Sequence, residues 1–299
     1  MSEPSIGVFY NATIRNNGTA RRFWDALVRM GYKEHGLVRY SRPAGIDIKD
    51  HNLHIFVDDG RDDIDEFPPS PNACWLIDTH LGYDKRLEWA RKFDNVFLAQ
   101  GSDVDKMKKD GIKNVYWLPL ACSPELDVTA SQLVQANMFD YVPDTEWDTI
   151  FVGFINGGPP DGDGNNRLEY LDFIFKHIQN SWLALDKFFL EASARVCKAR
   201  TIFNVSIKRD LNMRFFEGMS YGRCLVTNVD VDGWEELGFR KGVHFLGYQG
   251  MEEAVEKIKW ACANPMAREV TARDGYEFVR AEHTYKHRVE QMLNQCGVV

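Results

Sequence analysis

Short runs of apolar, β-branched and aromatic residues alternate along the chain with segments whose apolar positions recur at helical spacing. Ile6–Tyr10 reads as a buried strand. After a polar loop, Thr19–Met30 places Phe23, Leu27 and Met30 on one helical face. Leu53–Val57, Cys74–Ile77, Asn95–Leu98 and Asn114–Leu118 are further strand runs. Between them the pattern predicts helices over Lys85–Phe93 and Asp103–Asp110, the second opened by Ser102 as N-cap. Strand-then-helix units at this spacing require a parallel sheet with helices on both faces.

The pattern restarts after the polar stretch Tyr141–Glu146. Thr149–Phe154 is a strand run with Gly153 near its end, and a Gly/Pro-rich breaker occupies 155–166. Arg167–Asn180 is predicted helical with Leu168, Leu171, Phe175 and Ile178 on one face, and Asp186–Lys198 forms a second helix. Then come a strand at Thr201–Val205, a helix over Leu211–Tyr221 closed by Gly222, and strands at Cys224–Thr227 and His244–Leu246. A helix over Met251–Ala263 is stopped by Asn264-Pro265, and the tail is helical over Arg268–Gln295. The expectation is an α/β chain of two Rossmann-like lobes: 1–140, 141–280, and a terminal helix at 281–299. Ligands of such lobes gather at the carboxyl ends of strands, so the cleft between lobes is the expected site.

Composition narrows the classes. In 299 residues, 36 Lys and Arg stand against 44 Asp and Glu, a formal charge of -8, which disfavours nonspecific binding of nucleic acid or anionic membrane by the whole surface. The charge is uneven, however. Residues 1–45 hold seven bases (Arg15, Arg21, Arg22, Arg29, Lys33, Arg39, Arg42) and three acids, while residues 46–66 hold eight acids and two bases. The basic start fits either a cradle for an anionic acceptor, nucleic acid included, or a solvated helix beside an acidic loop. No run approaches 18 apolar residues, and the start lacks a basic region followed by an apolar one, so neither a membrane span nor a secretory signal is expected. Cys74, Cys122, Cys197, Cys224, Cys262 and Cys296 are widely spaced without a C-x-x-C pair. They read as reduced thiols of a cytoplasmic protein.

The segment Thr201–Asn228 is the richest in chemistry. It runs strand, polar loop, helix, glycine, strand. Lys208 and Arg209 lie in the loop, and Arg214 and Glu217 stand three apart on one side of the next helix. The free amides of a helix start attract a diphosphate, and a nearby cation adds charge-assisted bonds. A carboxylate one turn further in could accept both hydroxyls of a ribose. The same residues also fit a solvated loop with a surface ion pair. Gly153 would let backbone approach a phosphate, or serve as a plain turn. Arg167 is a further phosphate candidate, or a solvated residue at a helix start. In the first lobe Asp78 and His80 come just after a strand end. Asp78 could deprotonate an acceptor hydroxyl or cap a turn. Two D-x-D matches, Asp161/Asp163 and Asp230/Asp232, are read as turn chemistry.

Phe203-Asn204, then Asn212-Met213-Arg214-Phe215-Phe216-Glu217 and Gly222, resemble the donor-binding core of GT-B glycosyltransferases, most closely the CgeB-like (spore-maturation) group. WLIDTH at 75–80, WLPLAC at 117–122, FVGF at 151–154 and HTYKHR at 283–288 agree with it, and the resemblance spans about 70–299. It implies the GT-B fold, with the last helix returning to the first lobe. It implies transfer of a sugar from a nucleotide-diphosphate sugar, a UDP-sugar by preference, to a hydroxyl acceptor without a metal cofactor. Glu217 would hold the donor ribose, Lys208, Asn212 and Arg214 would meet the diphosphate, and His80 could contact the donor sugar or phosphate. Relatives carry an E-x7-E pair ending at this glutamate. Eight residues before Glu217 stands Arg209, so the first carboxylate is either missing or displaced to Asp210, and sugar recognition does not carry over. HTYKHR reads as a packing and capping segment. The acceptor stays open among a glycan, a small molecule, a protein and hydroxylated bases of DNA, and a noncatalytic GT-B-fold binding protein is a further alternative.

Overall fold

The computed structural model describes residues 4–10, 18–32, 37–39, 51–58, 67–136, 145–153, 155, 166–185 and 189–298. It divides into two compact units, Met1–Leu120 with Tyr285–Val299, and Ala121–Thr284.

The first unit contains β1 (Ile6–Tyr10), α1 (Thr19–Arg29), β2 (Leu37–Arg39), β3 (Leu53–Val57), β4 (Asn72–Leu76), α2 (Tyr83–Ala90), β5 (Asn95–Leu98), α3 (Val104–Lys109) and β6 (Val115–Trp117). The strands form one parallel sheet in the order β2-β1-β3-β4-β5-β6. Every residue of β1, β3 and β4 is buried, which is why these strands read as continuous apolar runs instead of alternating ones. On one face Phe56 stacks on Phe93 and meets the edge of Trp89. The indole of buried Trp75 donates to the Leu118 carbonyl at 2.9 Å. Ser102 does not cap α3. A 3₁₀ turn, Gly101–Asp103, precedes it, because Gln100 and Asp103 both bind Thr79 and draw the chain into a tighter entry.

The second unit contains α4 (Ala130–Gln135), β7 (Trp147–Val152), α5 (Arg167–His177), β8 (Ser181–Ala184), α6 (Phe189–Val196), β9 (Ala199–Asn204), α7 (Met213–Ser220), β10 (Cys224–Asn228), β11 (Leu246–Tyr248), α8 (Met251–Ala263) and α9 (Pro265–Glu282). Its sheet is also parallel, in the order β11-β10-β9-β7-β8. Counted from each unit's own first strand, both sheets begin 2-1-3-4-5. The order reverses between the first and third strands, and that reversal opens a crevice at the carboxyl ends. The helix predicted over Arg167–Asn180 stops at His177, and Ser181–Ala184 pairs as an edge strand that the pattern missed. Its buried face is Tyr170, Leu171, Ile174 and Ile178, whereas Leu168 is exposed. Pro265 both ends α8 and opens α9, as the fixed φ of proline at a helix start allows.

The final helix α10 (Tyr285–Gln295) belongs to the first unit. It buries Tyr285, Val289, Met292 and Leu293, packs on α1, and sends the Arg288 guanidinium to the Pro119 carbonyl at 2.8 Å. His283 ends α9, its amide bonded to the Val279 carbonyl and its ring to that of Leu237. All six cysteines are free thiols, four of them buried. Among the described residues, no helix is long and apolar enough to cross a membrane.

Candidate functional site

In the second unit the reversal lies between β7 and β9, so the crevice is bounded by the segments that leave the ends of these two strands. Val152 leads into Gly153, and Asn204 into the loop Val205–Asn212, which enters α7. The sequence folds this region around amide and hydroxyl side chains at the strand ends. Asn204 Nδ2 donates to Thr227 Oγ1 at 3.0 Å. Asn204 and Asn212 exchange side-chain hydrogen bonds at 3.2 and 3.3 Å. Asn228 accepts from the Ser206 amide at 2.8 Å and donates to the Ser206 carbonyl at 3.0 Å. The hydroxyl of Tyr248 donates to the Asn204 carbonyl at 2.7 Å; burial pushes its pKa well up, so it stays a donor. Asn204, Ser206, Thr227 and Asn228 are all at most 2% exposed, and each finds partners that offset the cost of burying a polar group.

This lacing fixes a strained loop. Among the described residues only three other than glycine have positive φ: Asp78 at 57°, Lys208 at 52° and Arg209 at 56°. Left-handed backbone costs free energy for a residue with a Cβ and concentrates at functional sites. All three positions lie in segments that the sequence marked for chemistry. Arg209 is held by an ion pair to Asp232, Nη2 to Oδ1 at 2.5 Å, and its carbonyl accepts from the Asp232 amide at 3.0 Å. Adjacent Lys208 is exposed. The pair explains Asp232, while Asp230 accepts from Asn228 Nδ2 at 2.7 Å, so the second D-x-D match holds the loop after β10. Asp161 and Asp163 lie outside the described residues.

The loop ends at Asn212, whose side chain accepts from the Phe215 amide at 3.1 Å and caps α7. The asparagine expected to meet a diphosphate therefore spends its side-chain oxygen on the helix itself. The first turns of α7 carry half-buried Arg214 and then Glu217, 8% exposed. Behind them Phe215 and Phe216 pack edge-on against Phe239, and Phe215 against Phe245, so this helix is anchored by aromatic rings. Gly222 closes the helix at φ 70°, its amide bonded to the Met219 carbonyl. Across the crevice α5 is capped by Asn166, whose side chain accepts from the Leu168 amide at 3.0 Å. Arg167 turns its Nε to the Val205 carbonyl at 3.4 Å, so this cation reaches the end of β9. Gly153 is buried at φ 151°, beside the Arg214 guanidinium. The structure thus brings Gly153, Arg167, Arg214 and the start of α7 to one set of strand ends in one unit.

Asp78 and His80 occupy the corresponding edge of the first unit. Asp78 comes after β4 and precedes a 3₁₀ turn, Thr79–Leu81, that carries His80. Its carboxylate makes no cap bond to that turn. The turn is fixed instead through Thr79, whose amide and hydroxyl reach Gln100 at 3.2 and 3.1 Å. Below it Arg86 Nε donates to Asp58 Oδ2 at 2.7 Å and to the Ile77 carbonyl at 2.8 Å, a buried ion pair joining the ends of β3 and β4. Sequence reasoning missed this pair and Asn228. The signal for Asn228 was present: β9 and β10 both end in asparagine.

Residues 184–294 match the protein-family model described as Glycosyl transferase-like. Among curated proteins, none matches the chain. Solved structures with a similar fold include HepE of Anabaena in complex with UDP and glucose, at a TM-score of 0.68 and 10% identity, covering 99% of this chain and 100% of that one. An α-glucosyltransferase in complex with UDP aligns with a TM-score of 0.66 at 11% identity over the same shares. An α-glucosyltransferase with UDP and a 13-mer DNA containing an HMU base aligns with a TM-score of 0.64 at 12% identity, again covering 99% and 100%. These likenesses establish the fold as the GT-B type: α/β, with two parallel-sheet units.

Proposed function

We propose that this chain is a glycosyltransferase that moves a sugar from a UDP-linked donor to a hydroxyl acceptor. The observation that carries the reading is the second unit's crevice. A strained, laced loop presents Lys208 beside a capped helix start, with Arg167 and Arg214 at the same strand ends and a nearly buried carboxylate, Glu217, one turn in. Two guanidiniums and an ammonium near free helix amides suit a diphosphate. A buried acid suits a ribose diol. The family match covers this region, and the similar solved structures are described with UDP or UDP-glucose bound.

In this reading Lys208, Arg167 and Arg214 stabilise the leaving diphosphate, so turnover needs no divalent metal. Asp78 takes the acceptor proton if the reaction inverts the anomeric centre, and His80 contacts the donor if it retains it. Arg209, paired with Asp232, does not stand in for the first carboxylate of the E-x7-E pair, which leaves adjacent Asp210 as the acid for that role. The free thiols fit a reducing cytoplasm. The test is a panel of UDP-, GDP- and dTDP-sugars, read by thermal shift and by slow donor hydrolysis with and without EDTA. A shift and hydrolysis with a UDP-sugar, unchanged by EDTA, is the expected result. No shift with any nucleotide sugar would move the chain to a noncatalytic binding role.

A second reading, transfer to hydroxylated bases of DNA, is favoured by the α-glucosyltransferase described with HMU-containing DNA and by the basic first 45 residues. In this chain Arg22 is buried and Arg21 lies over the Trp24 ring at 4.9 Å, so part of that charge already has a structural use. Duplex DNA binding at low salt that weakens steeply as salt rises would support this acceptor; none at low salt would remove it.

A further inference from the structure

We infer that Gly153 is a positioning residue for Arg214, leaving open the space in which its guanidinium packs at the end of β7; the inference rests on the donor-site reading above. Gly153 sits just past β7 with a φ of 151°, a conformation that residues with side chains rarely adopt. Built on that backbone, a Cβ would stand 2.7 Å from both Cζ and Nη2 of Arg214, and closer still to Nη1. The space that any other residue would fill is therefore occupied by the guanidinium. Two residues earlier, Phe151 turns its ring to the same group, with Cζ 5.2 Å from the ring centre. Phe151 is 2% exposed, so this ring is fixed in the core. Ring and bare Cα therefore bound the guanidinium together.

A cation packed in this way loses little side-chain freedom when it takes up an anion, and its planar fork keeps one direction for two parallel bonds. Both contacts come from β7 and the residue just past it, beside the sheet's reversal, where the donor-site reading puts the diphosphate. Had glycine been needed only to bring backbone close to phosphate, the cost of a side chain at 153 would not depend on residue 214. Had it been needed only for backbone strain, the cost would fall on stability and not on the phosphates. The packing predicts coupling to Arg214 and to the diphosphate alone.

The experiment is a two-by-two cycle by titration calorimetry with the full chain: wild type, Gly153→Ala, Arg214→Ala and the double variant, each titrated with UDP and with uridine. Gly153→Ala is expected to weaken UDP binding about tenfold when Arg214 is present and less than about twofold when it is alanine, with uridine affinity unchanged throughout. Additive losses, or an equal loss for uridine, would overturn the inference. Should Gly153→Ala fail to fold, Phe151→Leu takes its place. It is expected to cost about threefold in UDP affinity with Arg214 and nothing without it, and additivity there overturns the inference equally. A wild-type chain that binds no nucleoside diphosphate among UDP, GDP and dTDP would overturn the donor-site reading and this inference with it. Wild-type binding with an additive cycle would overturn the inference alone.

Discussion

The two units share a strand order but hold their strand ends by different chemistry. In the first, β3 and β4 are joined by a charged pair, Asp58 with Arg86, whose side chains are 0% and 9% exposed. In the second, β9, β10 and β11 are joined by uncharged groups: Asn204, Ser206, Thr227, Asn228 and Tyr248. The difference matters for an anion site. A guanidinium that pins two strands through a buried carboxylate is neutralised where it stands. A lattice of amides and hydroxyls fixes the same kind of strand ends with uncharged groups. At these strand ends the fastening is a charged pair in the first unit and uncharged amides and hydroxyls in the second.

That contrast can be broken most sharply in the first unit. Asp58→Ala leaves Arg86 buried beside the Ile77 carbonyl without its carboxylate, and should cost about 3–5 kcal/mol in urea unfolding. A loss below about 1 kcal/mol would show that the pair is not the fastening. In the second unit the effect should move from stability to binding. Arg214→Ala is expected to leave the urea midpoint nearly unchanged while lowering UDP affinity roughly ten- to hundredfold by calorimetry; a destabilised variant with normal affinity would make Arg214 structural. Glu217→Gln should lower uridine and UDP affinity alike, by about tenfold, because it acts on the pentose and not on the phosphates. Asn212→Ala removes the cap of α7 and should cost about 1 kcal/mol in thermal unfolding. The smallest effect belongs to Asp232→Ala, which releases an exposed ion pair and should cost under about 1 kcal/mol of stability. A larger cost there would mean that the Arg209 pair holds more than its loop.

Much of the fold was legible because parallel strands buried on both faces announce themselves as continuous apolar runs, as Ile6–Tyr10 and Leu53–Val57 do. The helix from Met251 to Ala263 was legible to the residue because acids open it and Asn264-Pro265 close it. Ser181–Ala184 was not, since four residues on a sheet edge are too few to show a period. Ser102 misled because its local cap chemistry was overridden by tertiary bonds from Thr79 to Gln100 and Asp103. In the site, Arg214 and Glu217 could be placed on one helix side by spacing alone. The left-handed backbone at Lys208 and Arg209 could not, because their loop is held by Asn228 of β10 and Asp232 of the loop after it. The fit between Gly153 and Arg214 joins residues 61 positions apart in sequence, a packing fact that no local pattern encodes.

The central claim is that the second unit's strand ends receive a nucleoside diphosphate. A crystal structure of the chain grown with UDP tests it most directly. The account predicts diphosphate oxygens within hydrogen-bond distance of Arg214 and the start of α7, and ribose hydroxyls on Glu217. Well-defined UDP bound away from β7, β9 and α7 would contradict it.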